Sequence, residues 1–506
     1  MNNHRLTSFV FVILCTCLLT VGCKPTGTSS KKASPTTAVT TLGGPYEVGS
    51  KTVFLHDKSR GFDTVAGVKD GVRVLITEIW YPVSPKNIKP DSVHPTWGDY
   101  VFGDKALHKR MMTETTFWHA NLKNHKGEPI AREGVTQEQL DKTMVELFHK
   151  ERVSYVNVPV AESDAPFPVV VMTHGDAGSR YNMSTACEYL ASHGYIVVAP
   201  EHTGNSPFSA VGKDPALDSE TGNPDIITAM KPVMPLLDSN GVYGHKHFGG
   251  QTYIAFQKSD YFVLDAAIIQ RVNDLRATLD ELKKMNTSGE FVGKLDLENV
   301  GLMGRSFGGT TTLTALELED RFKVGVSVVP VSVPDLRVLF PKKALKTSES
   351  AFLSAQGESA WTALNKPTMV LNCAEDKTII GGEAMLGSFV KAPAPTPENT
   401  HPSLKAIFEK TMAPVVWTIL ENATHASYGI SGAYWWPKYK PATGKSFFDP
   451  DKSFTKIDVN VAHDIQKEKV LSFFNLFLKG EKTAQKKLLS DEYAAKGLRL
   501  EHKNFQ

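Results

Sequence analysis

Apolar side chains in this sequence collect into short unbroken runs, and the segments between the runs carry apolar residues at every third or fourth position. The run VVVM at 169–172, bounded by Pro168 and Gly175, has no polar break, which is the pattern of a strand covered on both faces in a parallel sheet. YIVVAP from Tyr195 repeats it. Between the two, residues 183–193 read as a helix that Gly194 closes, because glycine takes the left-handed conformation at a helix end without steric cost. The alternation continues with a long helix over 265–285, a short strand VGLMG, a helix over TTTLTALELE and a strand FKVGVSVV. Two further strands, PTMVLNC and VVWTIL, are separated by the helical SLKAIFEK, and KVLSFFNLFLKG is read as an amphipathic helix closing the chain. Two β-rich stretches, KTVFLHD from Lys51 and VRVLITEIWYP from Val72, come before all of these. Elements of these lengths in this order predict an α/β fold, a mostly parallel central sheet with helices on both faces.

The first residues break the pattern. Arg5 precedes an apolar run from Phe9 to Leu19 that is too short to span a bilayer and reads as an export signal. It ends in LLTVGC, where small residues lead to a cysteine as in a lipoprotein signal, so residues 1–22 are expected to be removed and Cys23 to be lipidated. Plain secretion is the alternative. Residues 24–42 have no aromatic residue and are rich in Ser, Thr and Pro; residues 23–42 are therefore read as a disordered tether. Residues 43–506 are read as one domain with insertions near 84–150 and 204–261. The predicted location is the bacterial cell envelope, with membrane contact through the lipid alone. After removal of the signal only Cys23, Cys187 and Cys373 remain, so no disulfide framework is available and stability must come from a large core. A net charge of +2, with no long basic stripe, argues against a nucleic-acid partner.

Candidate chemistry centres on Gly304-Arg305-Ser306-Phe307-Gly308, a G-x-S-x-G pentad. With 38 glycines in 506 residues such a pentad arises by chance roughly 0.2 times in a chain this long, so position has to decide. It lies between a predicted strand and a predicted helix, where a nucleophile elbow holds its serine at a sharp corner with no room for side chains at the flanking glycines. A serine hydroxyl needs an imidazole to take its proton and a carboxylate to orient the imidazole, in the chain order Ser, Asp, His on loops after later strands. AEDKT follows PTMVLNC and offers Asp376; ENATHASY follows VVWTIL and offers His425. Glu375 and Asp335 are alternative acids, and His401, ahead of a helix, reads as a solvated loop histidine. An oxyanion hole requires two backbone donors, for which Phe307 and Asp176, in THGDAGSR, are the candidates. Asp176 is an odd occupant, since its carboxylate would repel an oxyanion unless it faces away. His174 reads as a structural hydrogen-bonding residue beneath that loop. The 204–261 insertion is loop-rich and read as a lid. Its His245 and His247 form an H-x-H pair without further ligand spacing, read as solvated, so no metal is predicted. Tyr434, Trp435 and Trp436 either line a leaving-group pocket or pack ordinarily.

On VRVLITEIWYP, FPVVVMTHGDAGSR, YLASHGYIVVAPEHTGN, NVGLMGRSFGG, AEDKT and ATHASY, the chain resembles the α/β-hydrolase superfamily, within it the dienelactone-hydrolase-like and plasma-type platelet-activating-factor acetylhydrolase branch. The resemblance implies a serine carboxylic-ester hydrolase, often acting on short acyl groups, with no metal or organic cofactor. It departs from the branch at Asp176, where an apolar residue is usual, and in the long 84–150 insertion. An acyltransferase on the same residues, or a non-catalytic lipid-anchored binding protein on a hydrolase fold, are the competing expectations.

Overall fold

In the computed structural model the described residues are 42–109, 137–244, 246–247, 261–330, 365–380, 394–430 and 443–505. The signal segment, Cys23, nearly all of the tether, His245, Asp335 and the Tyr434 to Trp436 cluster lie outside them.

Eleven strands occur among the described residues: β1 (Glu47–Asp57), β2 (Arg73–Val83), β3 (Phe167–Thr173), β4 (Ile196–Pro200), β5 (Leu295–Arg305), β6 (Phe322–Val328), β7 (Thr368–Cys373), β8 (Val415–Leu420), β9 (Thr443–Lys445), β10 (Ser453–Thr455) and β11 (Leu498–Lys503). The principal helices, in chain order, are α1 (Gln137–Phe148), α2 (Ser184–Ser192), α3 (Pro224–Met230), α4 (Tyr261–Met285), α5 (Phe307–Leu318), α6 (Pro402–Lys410) and α7 (Val459–Phe477). Nine strands form one sheet in the order β1-β2-β4-β3-β5-β6-β7-β8-β11. From β4 to β8 every pairing is parallel, while β1, β2 and β11 run antiparallel to their neighbours. β9 and β10 make a separate hairpin. The expected α/β architecture, a mostly parallel sheet with helices, is the one observed.

Alternation along each strand builds the two cores. Val170 and Met172 of β3 and Val197 and Ala199 of β4 face one side, packed with Leu190 of α2 and Phe473 and Phe474 of α7. Val169, Val171, Ile196 and Val198 face the other, packed with Val272, Leu275 and Leu279 of α4. Both faces are therefore apolar, which is why these strands show unbroken runs in the sequence. α2 ends where expected, with Gly194 at φ 83°.

The structure adds to the sequence reading in three places. β5 starts at Leu295, five residues earlier than VGLMG, and its register against β3 shifts between Pro168 and Val169. The helix over KVLSFFNLFLKG begins at Val459, capped by the Asp458 side chain on the Asn460 N–H, and does not close the chain, because β11 follows and pairs with β8. The described part of the 204–261 insertion is not merely loop. Ile226, Met230 and Val233 pack with Phe62, Val72, Val74 and Tyr243 in a small core of their own at the start of β2.

Candidate active site

Ser306 joins β5 to α5 at a corner with φ 58° and ψ −124°, a backbone conformation that costs a non-glycine residue roughly 1–3 kcal/mol. The corner is held by the Ser306 N–H donating to the Val328 carbonyl (2.8 Å) and by the Thr310 N–H donating to the Ser306 carbonyl (3.1 Å). The glycines are there for close approach: a Cβ at 304 would overlap the Gly308 carbonyl, and one at 308 would overlap the Thr173 carbonyl. Backbone from β3, β5 and α5 thus meets at the serine.

Two hydrogen bonds link the predicted partners to it. His425 Nε2 lies 3.0 Å from Ser306 Oγ, and His425 Nδ1 lies 2.7 Å from Asp376 Oδ2. With the Nδ1 proton donated to the carboxylate, Nε2 is left to accept from the hydroxyl. Asp376 is fully buried, and its Oδ1 accepts the Ile379 N–H (3.1 Å). Burial alone would raise its pKa, but the charge and hydrogen bond of His425 and the Ile379 N–H outweigh burial, so the carboxyl sits below its usual range. Ser306 remains 8% exposed and the His425 side chain 16%, enough for a substrate to reach both.

The alternative acid Glu375 points elsewhere, accepting from Ser446 Oγ (2.9 Å) and the Phe447 N–H (2.7 Å). His401 differs from its expected solvated state. It is fully buried, with Nδ1 2.9 Å from Thr400 Oγ1 and its ring 6.2 Å from that of Trp417. Burial, set against the nearby Asp376 charge, holds its pKa at about 4. His247 is also buried, with Nε2 2.9 Å from Asp63 Oδ1, and no metal-binding cluster occurs among the described residues.

The oxyanion candidates lie against the serine. Gly175 packs so tightly that a Cβ on it would fall 3.1 Å from Ser306 Cβ, which brings the Gly175–Asp176 peptide to the nucleophile. Phe307 supplies the first amide of α5, one of those without an acceptor inside the helix. The Asp176 carboxylate is drawn aside by Asn205, whose Nδ2 donates to Oδ1 at 2.8 Å. His174 is structural as read: Nδ1 donates to the Gly175 carbonyl (2.7 Å) and Nε2 accepts the His202 N–H (3.0 Å).

Two arginines escaped the sequence reading. Arg305, the second residue of the pentad, is 7% exposed and donates through Nη2 to the His425 carbonyl (2.5 Å), tying the histidine loop to the elbow. Arg271 of α4 is fully buried beneath the Thr173–Asp176 segment. The signal available was a charged residue inside an apolar strand or helix face, which by itself reads as surface.

Buried histidines make the fold acid-sensitive. Burial lowers the pKa of His202 to about 3 and of His401 and His463 to about 4, whereas burial raises Glu188 to about 7. Below the unfolded histidine value of about 6.5 the unfolded chain binds protons that the folded histidines refuse, so stability is full above that pH and falls on acidification toward 4. Glu188 offsets part of this, because it takes up a proton in the folded state first. These four groups together give an expected loss on the order of 3 kcal/mol between pH 7 and pH 5, and His174, whose pKa burial also lowers, acts in the same direction. Urea denaturation at the two pH values checks it; equal stability at both would contradict the burial of these imidazoles.

Comparison with known proteins places this geometry in context. The family model described as platelet-activating factor acetylhydrolase, isoform II, matches residues 113–335, a stretch that includes Ser306. Platelet-activating factor acetylhydrolase of Cavia porcellus is 25% identical over 192 residues, 37% of this chain and 41% of that protein. A putative phospholipase A2 of Schizosaccharomyces pombe is 26% identical over 190 residues, 37% of each chain. The matches thus span about two fifths of these relatives' length. Among solved structures, a ferulic acid esterase from Streptomyces cinnamoneus superposes with a TM-score of 0.50 at 17% identity, over 92% of this chain and 98% of that one, which shows a shared fold.

Proposed function

For a chain with the α/β-hydrolase fold and a likeness to the platelet-activating-factor-acetylhydrolase branch, we propose the activity of a serine carboxylic-ester hydrolase. The observation that carries the reading is the pair of hydrogen bonds at His425, which donates from Nδ1 to Asp376 and accepts at Nε2 from the Ser306 hydroxyl, with the serine on a strained strand-to-helix corner. Ser306 attacks the ester carbonyl while His425 takes its proton. Asp376 keeps the imidazole in the productive tautomer and stabilises the imidazolium. The N–H groups of Asp176 and Phe307 receive the developing oxyanion, each donor being worth about 10²–10³ in rate. His425 then protonates the leaving alcohol, and water, deprotonated by the same ring, releases the acid from the acyl-enzyme.

A panel of p-nitrophenyl esters of increasing acyl length, run with and without a competing alcohol, tests this. The expected outcome is fastest cleavage of the acetyl ester with free acid as product; a new ester as the main product would make the protein an acyltransferase, and no cleavage by folded protein would remove the reading. The cell-envelope location is likewise a proposal. It is supported by the apolar run and the small residues before Cys23, and would be lost if Cys23→Ala incorporated palmitate as well as the wild type.

A further inference from the structure

We infer that Arg271 is a positioning residue of the oxyanion hole: its buried guanidinium locks the two backbone segments that supply the hole and offsets the charge of Asp176. The inference rests on the hydrolase reading above. Arg271 sits in the middle of α4, fully buried, and among the described residues no carboxylate lies within ion-pair distance of it. Its hydrogen bonds go to one place. Nη2 donates to Thr173 Oγ1 (3.0 Å) and to the His174 carbonyl, and Nη1 donates to Asn205 Oδ1. Asn205 in turn donates to the Asp176 carboxylate, so cation, amide and carboxylate form one chain. The Arg271 Cζ also lies 4.9 Å from the centre of the Phe307 ring, on the residue that carries the other donor. One side chain therefore holds the segment that leads to the Asp176 amide and packs over the ring of the residue that carries the other donor.

The contacts behind Arg271 leave its acceptors no freedom. Thr173 Oγ1 lies 2.8 Å from His202 Nε2, and His202 Nδ1 lies 2.9 Å from Asp274 Oδ2, which Arg73 grips through Nε (2.9 Å to Oδ1) and Nη2 (2.8 Å to Oδ2). With the imidazole proton on Nδ1, each hydrogen in the chain has one direction: Arg271 to Thr173, Thr173 to His202, His202 to Asp274. If Arg271 only filled space, a neutral side chain would serve without the desolvation penalty of a buried, incompletely neutralised cation. Its charge lies on the His174 carbonyl, in the segment that leads to the Asp176 amide, and the Asp176 carboxylate is one of the two whose field it feels. The same feature gives the acid after His-Gly a partner, since Asp176 is linked to Arg271 through Asn205.

The test uses the full chain with Arg271→Gln and Arg271→Lys, reading kcat and KM for p-nitrophenyl acetate and the inhibition constant of a trifluoromethyl ketone. Arg271→Gln is expected to lose about 10–100-fold in kcat and in ketone affinity with KM within about threefold, and Arg271→Lys, which keeps charge but not the fork, to fall between it and wild type. A folded Arg271→Gln with kcat within about threefold of wild type overturns the inference, as does a loss confined to KM. Ser306→Ala run in parallel separates the claims: activity surviving in that variant defeats the hydrolase reading itself, whereas its loss beside an unaffected Arg271→Gln defeats only the role of Arg271. Should Arg271→Gln not fold, Asn205→Ala is judged instead, with a kcat loss of about fivefold or more at unchanged KM expected and an unchanged kcat overturning.

Discussion

His425→Ala is expected to reduce kcat for p-nitrophenyl acetate by about 10⁴-fold or more, and Asp376→Asn by a comparable factor, with both proteins folded at pH 7. The two losses have different causes. Alanine at 425 removes the only imidazole within hydrogen-bond distance of Ser306 Oγ among the described residues, leaving a hydroxyl with no base. Asparagine at 376 keeps the shape but presents either an amide N–H or a neutral oxygen to His425 Nδ1. In the first case the ring must carry its proton on Nε2, where it can no longer accept from the serine; in the second the imidazolium formed in the transition state loses its counter-charge. The carboxylate also offsets part of the cost of burying the nearby Arg305 guanidinium. On the proposed reading the three residues act as a unit, so combining either substitution with Ser306→Ala is expected to cost little beyond Ser306→Ala alone. Steady-state kinetics on the single and double variants check this; additive losses would mean that the residues work independently.

Gly308→Ala is expected to damage fold and activity together, lowering stability by roughly 2–4 kcal/mol and abolishing ester cleavage. A methyl group at 308 would overlap the Thr173 carbonyl and stand 2.6 Å from the His174 carbonyl. These are backbone atoms at the end of a central strand, paired through Thr173 to Gly304 and held by Arg271, and they have no rotamer through which to yield. Relief requires α5 to lift from β3, which moves the Phe307 amide and unbends the Ser306 corner. Gly309→Ala is the control. There the nearest atom is the Ser327 hydroxyl at 2.9 Å, which can rotate, and the backbone atoms of Val328 and Pro330 stand at 3.1 Å rather than in overlap, so a smaller loss is expected. Urea denaturation of the two variants decides it; equal stability losses would contradict the account of the close approach at 308.

How much of this was legible in the sequence depended on how local each signal is. Ser306, Asp376 and His425 could be named because each follows an unbroken apolar run, and in a parallel sheet all such runs end at the same edge. The choice of Asp376 over Glu375 was not local: adjacent residues at a strand end point apart, and only the fold shows Glu375 holding Ser446 and Phe447. Arg271, Asn205 and His202 were invisible for the same reason. Their partners lie far away in the chain, and a charged residue on a helix ordinarily marks the solvent side. His401 and His247 were misjudged as solvated because loop residues usually are, while here one is sealed beside Trp417 and the other against Asp63. β11 escaped because LRLEHK, an edge strand, shows alternation too short and too polar to stand out.

The most direct test of Ser306 as the nucleophile is intact-mass and peptide-mapping mass spectrometry of the folded chain after reaction with a fluorophosphonate. A single adduct on the peptide carrying Ser306, strongly slowed in His425→Ala, is the predicted result. An unmodified Ser306 in protein that still cleaves esters, or an adduct on another residue, would contradict it.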